Sequence, residues 1–274
     1  RGFNFGTMDA DNDGWVDGLT IIHAGGGEEY DGNNADYIWS HQGNLSSTVT
    51  YDGKKMQMYH TEPARRGFDA WPSTQGITRI GVICHENGHF LGLPNLYDED
   101  YSSQGVGDFC LMGTGSWNPE GNDNNIGIQP AHMSAWCKQK LTWVTPTIIA
   151  DSDDYTLDRI EDHRQTYKLQ NGFASNEYFL VENRQGFGFD AGLPGVLRGI
   201  LIWHIDENQS NNNYETHYKV DLEEASLYQQ LEINTNDGDD WDYFRAGNAT
   251  NFNAGSNPNN RNYSGVALGL DIVN

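Results

Sequence analysis

The stretch Cys84-His85-Glu86-Asn87-Gly88-His89-Phe90-Leu91-Gly92-Leu93-Pro94 decides how this chain is read. On an α-helix, residues four apart lie about 40° apart in azimuth and about 6 Å apart along the axis. His85 and His89 therefore leave one face together and can share a zinc ion at about 2.0–2.1 Å. Glu86 follows the first imidazole, where its carboxylate can hold and deprotonate a water at the metal. Gly92 suits the left-handed turn that ends such a helix, and Pro94 keeps the helix from resuming. The tenth residue after His85, where the chain can return a third ligand, is Asn95.

A second metal signal lies upstream. Asp9, Asp11 and Asp13 alternate and are followed by Gly14 and Asp17. In such a pattern alternate oxygens wrap a calcium ion and the glycine makes the sharp turn. The carbonyl of Trp15 falls at the seventh position, and Asp17 binds directly or through water. Thr20 takes the twelfth position, where an EF-hand has a bidentate Glu, so the expectation is an EF-like calcium loop leading into a strand. A solvated acidic turn is the alternative. Asp237, Asp239, Asp240 and Asp242 form another acidic knot, read either as a second calcium site or as an exposed loop.

Composition sets limits on function. The net charge of −23 makes binding to a phosphate backbone improbable and suits bound cations, high salt or solubility. No apolar run is long enough to span a membrane. The 32 glycines against 8 prolines predict many turns and few long helices. The sequons at Asn44, Asn208, Asn248 and Asn262 are weak signals in an asparagine-rich chain. No signal peptide is present, as expected of a chain that has lost one on maturation.

Local patterns give Leu19–His23 as a short buried strand and residues 43–55 as a hairpin. One long helix is expected over 74–91 and a second over 130–140. Strands are expected at 177–182, 199–204 and 218–223. His23 and His41 are candidates for the cleft, with a hydrogen-bonded structural role as the commoner alternative. His132 is a lesser candidate for zinc.

The words around the zinc helix carry a resemblance. Gly81 through Asp98, Leu111-Met112-Gly113-Thr114-Gly115-Ser116-Trp117, Asp9 through Asp17, and Ile22-His23-Ala24-Gly25 with Glu28 and Glu29 resemble the immune-inhibitor-A-like metalloproteases, the M6 family. So do Ile38 through His41, Asn176 through Arg184, Leu193-Pro194-Gly195 and Ile202 through Glu207. The resemblance implies a secreted, zinc-dependent endopeptidase acting on proteins or peptides, with a metzincin-like α+β fold. It implies one metalloprotease domain over 1–274, with the active-site helix on a mixed sheet in an upper lobe (1–94). An irregular, β-rich lower lobe (95–274) would then carry Met112 as the Met-turn residue beneath the zinc.

Asn95 stands where the family usually carries Asp. Asn95 can ligate through its side-chain oxygen, Asp98 or Asp100 can substitute, or the site is weakened. Only 84 residues precede His85, fewer than the family's domain normally has, which implies a longer precursor with an N-terminal segment or prodomain as partner. Cys84 and Cys110 flank segments expected to converge beneath the metal, so a disulfide between them stands beside the alternative of three small buried thiols. The rival function is a calcium-stabilised peptidase-like module that binds rather than cleaves.

Overall fold

The computed structural model describes residues 3–30, 35–66, 76–119 and 126–273, and the chain divides into two compact units, 1–92 and 93–274. The fold class is α+β, with short helices and separate sheets. Among the described residues no helix is long and apolar enough to cross a membrane.

The first unit holds a three-stranded sheet among its described residues, β1 (Thr20–His23), β2 (His41–Tyr51) and β3 (Lys54–Pro63), in the order β1-β3-β2. β2 and β3 form the expected hairpin, closed by Asp52-Gly53 with φ of +49° and +78°. Positive φ at both turn residues matches the twist of the flanking strands, and Asp-Gly accepts it readily. β1 runs parallel to β3, with Thr20 opposite His60 and His23 opposite Pro63. The expectation of a buried strand here was wrong: Ile21 and Ile22 are 40% and 54% exposed, and among the described residues β1 is an edge of the sheet.

The helix α1 (Ile80–Phe90) packs on β3 and β2. Gly81, Val82, His85, Glu86 and Gly88 are buried, a helical face that includes both the first imidazole and the carboxylate of the motif. The expected start at residue 74 lies outside the described residues, and residues 76–79 are not helical. Their backbone is used elsewhere: Ile77 bridges to Arg65, the Arg66 N–H donates to Gly76, and Thr78 N–H donates to Ala64. Pairing with the chain that leaves β3 thus delays the helix until Ile80.

The second unit is built on a five-stranded sheet among its described residues, in sequential order: β4 (Thr147–Ile149), β5 (Tyr167–Leu169), β6 (Glu177–Arg184), β7 (Gly199–Asp206) and β8 (Val220–Leu222). β6 and β7 pair antiparallel from Glu177 opposite Asp206 to Arg184 opposite Gly199. Phe179, Val181 and Ile202 pack with Ile149, Leu169, Phe244 and Phe252 in a buried apolar cluster. The helix expected over 130–140 is shorter, α2 (Ala135–Lys140), with the Ser134 hydroxyl accepting from Cys137 N–H at 3.3 Å. The Ser134 N–H, which would close a first turn on the Pro130 carbonyl, donates instead to Cys110 Sγ at 3.2 Å, while Ala131 and His132 N–H bond the Gly115 carbonyl and the Asp190 carboxylate.

A buried ion network ties β6 to its surroundings. Arg184 grips Asp190 through Nε and a terminal nitrogen, each at 2.7 Å, and reaches Glu182 at 3.1 Å. Lys138 on α2 closes on the other oxygen of Glu182 at 2.8 Å, and Trp203 Nε1 donates to Glu182 at 3.0 Å.

Candidate metal centre

In α1 the rings of His85 and His89 are 4.9 Å apart between centroids and nearly perpendicular, at 87°. Two imidazoles one turn apart beside a carboxylate are a donor set that zinc accepts. Glu86 is only 7% exposed, and the backbone N–H of Gln42 on β2 donates to it. Burial raises its pKa above the usual carboxylate value; His89 opposes that shift, and the charge of Glu62 adds to it. The helix stops as its sequence requires. Leu91 and Gly92 donate back to Asn87 and His89, at 3.1 and 2.9 Å, and Gly92 takes φ +87°.

A supporting layer beneath the helix was missed in the sequence. His60 and Glu62, both on β3 and fully buried, are joined through Nδ1 and a carboxylate oxygen. His60 Nε2 shares a 2.7 Å hydrogen bond with the Thr20 hydroxyl, and its ring meets Phe90 edge-on at 5.0 Å. The available signal was the His60-Thr61-Glu62 spacing, which puts both side chains on one face of a strand. Glu29 is held by Ser40, whose hydroxyl and N–H donate at 2.5 and 3.2 Å. That carboxylate lies over Gly27, where a Cβ would come within 2.4 Å of it, so any larger residue there would displace Glu29 from this position. His23 and His41 make structural bonds, His23 to the Ala24 carbonyl at 3.2 Å and His41 to the Trp39 carbonyl at 2.7 Å and Tyr59 at 3.0 Å.

The remaining candidates belong to the second unit. Asn95 is half-buried, and its amide nitrogen donates to Glu99 at 2.9 Å. Leu96 N–H donates to the carbonyl of Met112 at 2.8 Å, so the segment after Asn95 is tied to the turn carrying the fully buried Met112. Asp98 is 1% exposed and accepts from Asp100 N–H, Ser102 Oγ and both donors of Ser103, at 2.8 to 3.0 Å. Both its oxygens are thus engaged in shaping this loop. His132 is half-buried, and burial lowers its pKa below the usual imidazole value. The cysteines form no Cys84–Cys110 bond: all three are free, and Cys110 Sγ lies 4.0 Å from Cys137 Sγ.

Residues 4–144, which include α1 and the turn at Met112, match the catalytic domain of immune inhibitor A peptidase M6. The chain belongs to this family of metallopeptidases. Pre-pro-metalloprotease PrtV of Vibrio cholerae serotype O1 is 40% identical over 137 residues, covering 47% of this chain and 14% of that protein. Immune inhibitor A of Bacillus thuringiensis subsp. alesti is 34% identical over 110 residues, covering 38% of this chain and 16% of that protein. The aligned stretches thus span about a seventh of these relatives.

In this M6 chain the loop at Asp9–Asp17 gathers oxygens as its spacing demands. Ligand atoms of Asp9, Asp11 and Asp17 lie within 4.8 Å of one another. Asp9 is 7% exposed and accepts from the N–H groups of Asp13 and Gly14, both at 3.0 Å, while Lys54 Nζ lies 2.5 Å from it. Asn12 and Gly14 take φ of +63° and +90°, and Gly14 makes the turn foreseen for it. Asp13 is used differently, accepting from Trp15 N–H at 2.8 Å. Asp98, Asp100 and Glu215 form a similar group in the second unit.

The knot at 237–242 is not one cage. Asp240 accepts from Val196 and Leu197 N–H, both at 2.7 Å, and pairs with Arg245 at 3.2 Å. Asp239 accepts from Trp241 N–H and from Asn236, at 2.7 and 3.0 Å. The Asp237 carbonyl receives Asp108 N–H at 2.8 Å. Asp242 is fully buried and meets Glu224.

Proposed function

We propose that this chain is the catalytic part of a secreted, metzincin-like zinc endopeptidase that hydrolyses proteins or peptides. The observation that carries this reading is α1, where the rings of the buried His85 and the half-buried His89 stand 4.9 Å apart with the buried Glu86 beside them. His85 and His89 would hold the zinc. Asn95 is the third ligand by its spacing from His85, through its side-chain oxygen, and Met112 gives the apolar floor of the Met-turn. Zinc, when bound, supplies a Lewis acid that polarises the scissile carbonyl and acidifies water. Glu86 takes the proton of the attacking water and later passes it to the leaving amine. Its burial suits that task, because desolvation makes the carboxylate a stronger base than an exposed one. The Gln42 N–H orients the carboxylate from β2.

Calcium in the Asp9–Asp17 loop, with the Trp15 carbonyl among its ligands, would brace the first unit, and part of the wider knot at Asp237, Asp239, Asp240 and Asp242 would serve the second. A precursor segment as partner agrees with the printed name of the Vibrio relative, a pre-pro-metalloprotease.

One observation favours the second reading, a calcium-stabilised module with a weakened zinc site. Asn95 is neutral and so a weaker ligand for zinc than a carboxylate; its Nδ2 donates to Glu99 and leaves only the side-chain oxygen for a metal. Metal analysis of the purified chain, with casein hydrolysis before and after zinc chelation, separates the two. Near-stoichiometric zinc and chelator-sensitive cleavage, reduced about 10²- to 10⁴-fold in Glu86→Gln, support the peptidase. Calcium without zinc, and no cleavage after zinc is restored, support the module.

A further inference from the structure

Two of the three cysteines meet in the second unit and take no part in the metal chemistry proposed above. Cys110 lies two residues before Met112, and Cys137 is the third residue of α2. Both are fully buried, and their sulfurs stand 4.0 Å apart. Hydrogen bonds sew together the segments that carry them. Leu111 N–H donates to the His132 carbonyl at 3.4 Å, and Ala131 N–H donates to the Gly115 carbonyl at 2.9 Å. Cys137 N–H donates to the Ser134 hydroxyl at 3.3 Å, and Ser134 N–H donates in turn to Cys110 Sγ at 3.2 Å. The two thiols thus sit side by side between stretches of backbone whose separation is already fixed.

The sulfurs are not equivalent. Besides Ser134 N–H, Cys110 Sγ receives Met112 N–H at 3.4 Å. Burial opposes a thiolate, but at Cys110 the neighbouring thiol and these two N–H groups outweigh it and hold the pKa below the ordinary thiol value. Burial and the neighbouring sulfur push Cys137 above that value. Such a pair has the asymmetry of an attacking thiolate and a partner that resolves a mixed disulfide. Bonding requires the sulfurs to close from 4.0 Å to about 2.05 Å, an approach that rotation about the two Cα–Cβ bonds can supply. The third cysteine, Cys84, belongs to α1 of the first unit.

We propose that Cys110 and Cys137 close to a disulfide that pins the Met112 turn to α2 and leaves Cys84 as the free thiol. The oxidant is a low-molecular-weight disulfide such as oxidised glutathione. The Cys110 sulfur attacks one of its sulfurs and expels one glutathione thiol; Cys137 then attacks Cys110 Sγ and expels the other. Two protein thiols are oxidised, one glutathione disulfide is reduced, and both thiol protons leave on the glutathiones. Exchange takes place as the chain folds, because burial closes the finished pair to solvent. Its occurrence in the cell rests on the secretion proposed above, since secreted chains meet oxidants of this kind. The Met112 carbonyl receives Leu96 N–H, so the bond would also steady the segment that follows Asn95.

The test is a thiol count on the whole chain, refolded in a glutathione redox buffer, purified without reductant and unfolded in a thiol reagent. One thiol per chain and a linked Cys110–Cys137 peptide are expected, against three thiols after reduction. Reduction should also lower Tm by about 5–15 °C, and that drop should vanish in Cys137→Ala. Cys84→Ala leaves the buried pair intact, and it should keep the linked peptide and show no free thiol. Three thiols in the folded parent, a link that contains Cys84, or a Tm indifferent to reduction would overturn the proposal. The count reads neither zinc nor cleavage, so it can fail while the peptidase reading holds, and hold while that reading fails.

Discussion

Arg184 allows a sharp test of how the second unit is held. In Arg184→Met a flexible chain of similar length replaces the guanidinium, so the main loss is charge and hydrogen bonding. Glu182 keeps Lys138 at 2.8 Å and Trp203 Nε1 at 3.0 Å, but Asp190 keeps only the His132 N–H, also at 2.8 Å. Breaking a buried pair by removing one partner typically costs about 3–5 kcal/mol. Part of that can be worked from Asp190. Burial drives its pKa up, but the Arg184 guanidinium more than reverses this and holds it at about 2, against an ordinary value of 3.8. A folded-state value below the unfolded one contributes stability above the unfolded value and loses it as pH falls through the folded one. For Asp190 that is on the order of 2 kcal/mol at neutral pH, lost between about pH 4 and pH 2. Urea unfolding at pH 7 should show the full loss with an unchanged slope, and Tm should fall by about 10 °C at roughly 2–4 °C per kcal/mol. Adding Asp190→Asn to Arg184→Met should recover part of the loss, since the stranded charge is gone. A loss below about 1 kcal/mol for Arg184→Met would refute the reasoning, showing that Asp190 takes up a proton at little cost.

Three further outcomes are expected. Burial lowers the pKa of His204, but its bonds to Glu177 and Glu223, at 3.0 and 3.2 Å, raise it to about 9. This raised value means stability is fully present below about pH 6.5 and declines as pH rises to about 9, by an amount on the order of 3 kcal/mol; His204→Gln should flatten that decline in a pH series of urea midpoints. Gly92→Ala adds a Cβ that meets nothing within 4 Å, so its cost is that of the left-handed backbone alone, about 1–2 kcal/mol, and parent-like stability would contradict the helix ending described. Calcium at 100 times its Kd should stabilise the Asp9–Asp17 loop by about 2.7 kcal/mol, seen as a chelator-induced drop in Tm that is smaller in Asp11→Asn with Asp17→Asn.

The chain's own residues settled what depends on short-range spacing. His85, Glu86 and His89 had to share a helical face because four residues pass one turn by only about 40°, and Gly92 had to stop that helix because it alone enters φ > 0 freely. Asp52-Gly53 fixed the hairpin for the same backbone reason, and the alternating aspartates with Gly14 foretold a loop that gathers carboxylates. The tertiary structure decided whatever depends on which distant residue claims a backbone or side-chain group. It shortened α1 because Ile77 bridges Arg65, and shortened α2 because Cys110 Sγ takes the Ser134 N–H that an earlier turn would need. Among the described residues it left β1 exposed at an edge of its sheet, although its sequence is as apolar as that of a buried strand. It also split the 237–242 knot, sending Asp240 to Arg245 and Asp242 to Glu224. The His60-Thr61-Glu62 spacing put two side chains on one strand face, but their burial against Thr20 and Phe90, like the meeting of Asp242 with Glu224, came only with folding, because those partners lie in distant segments.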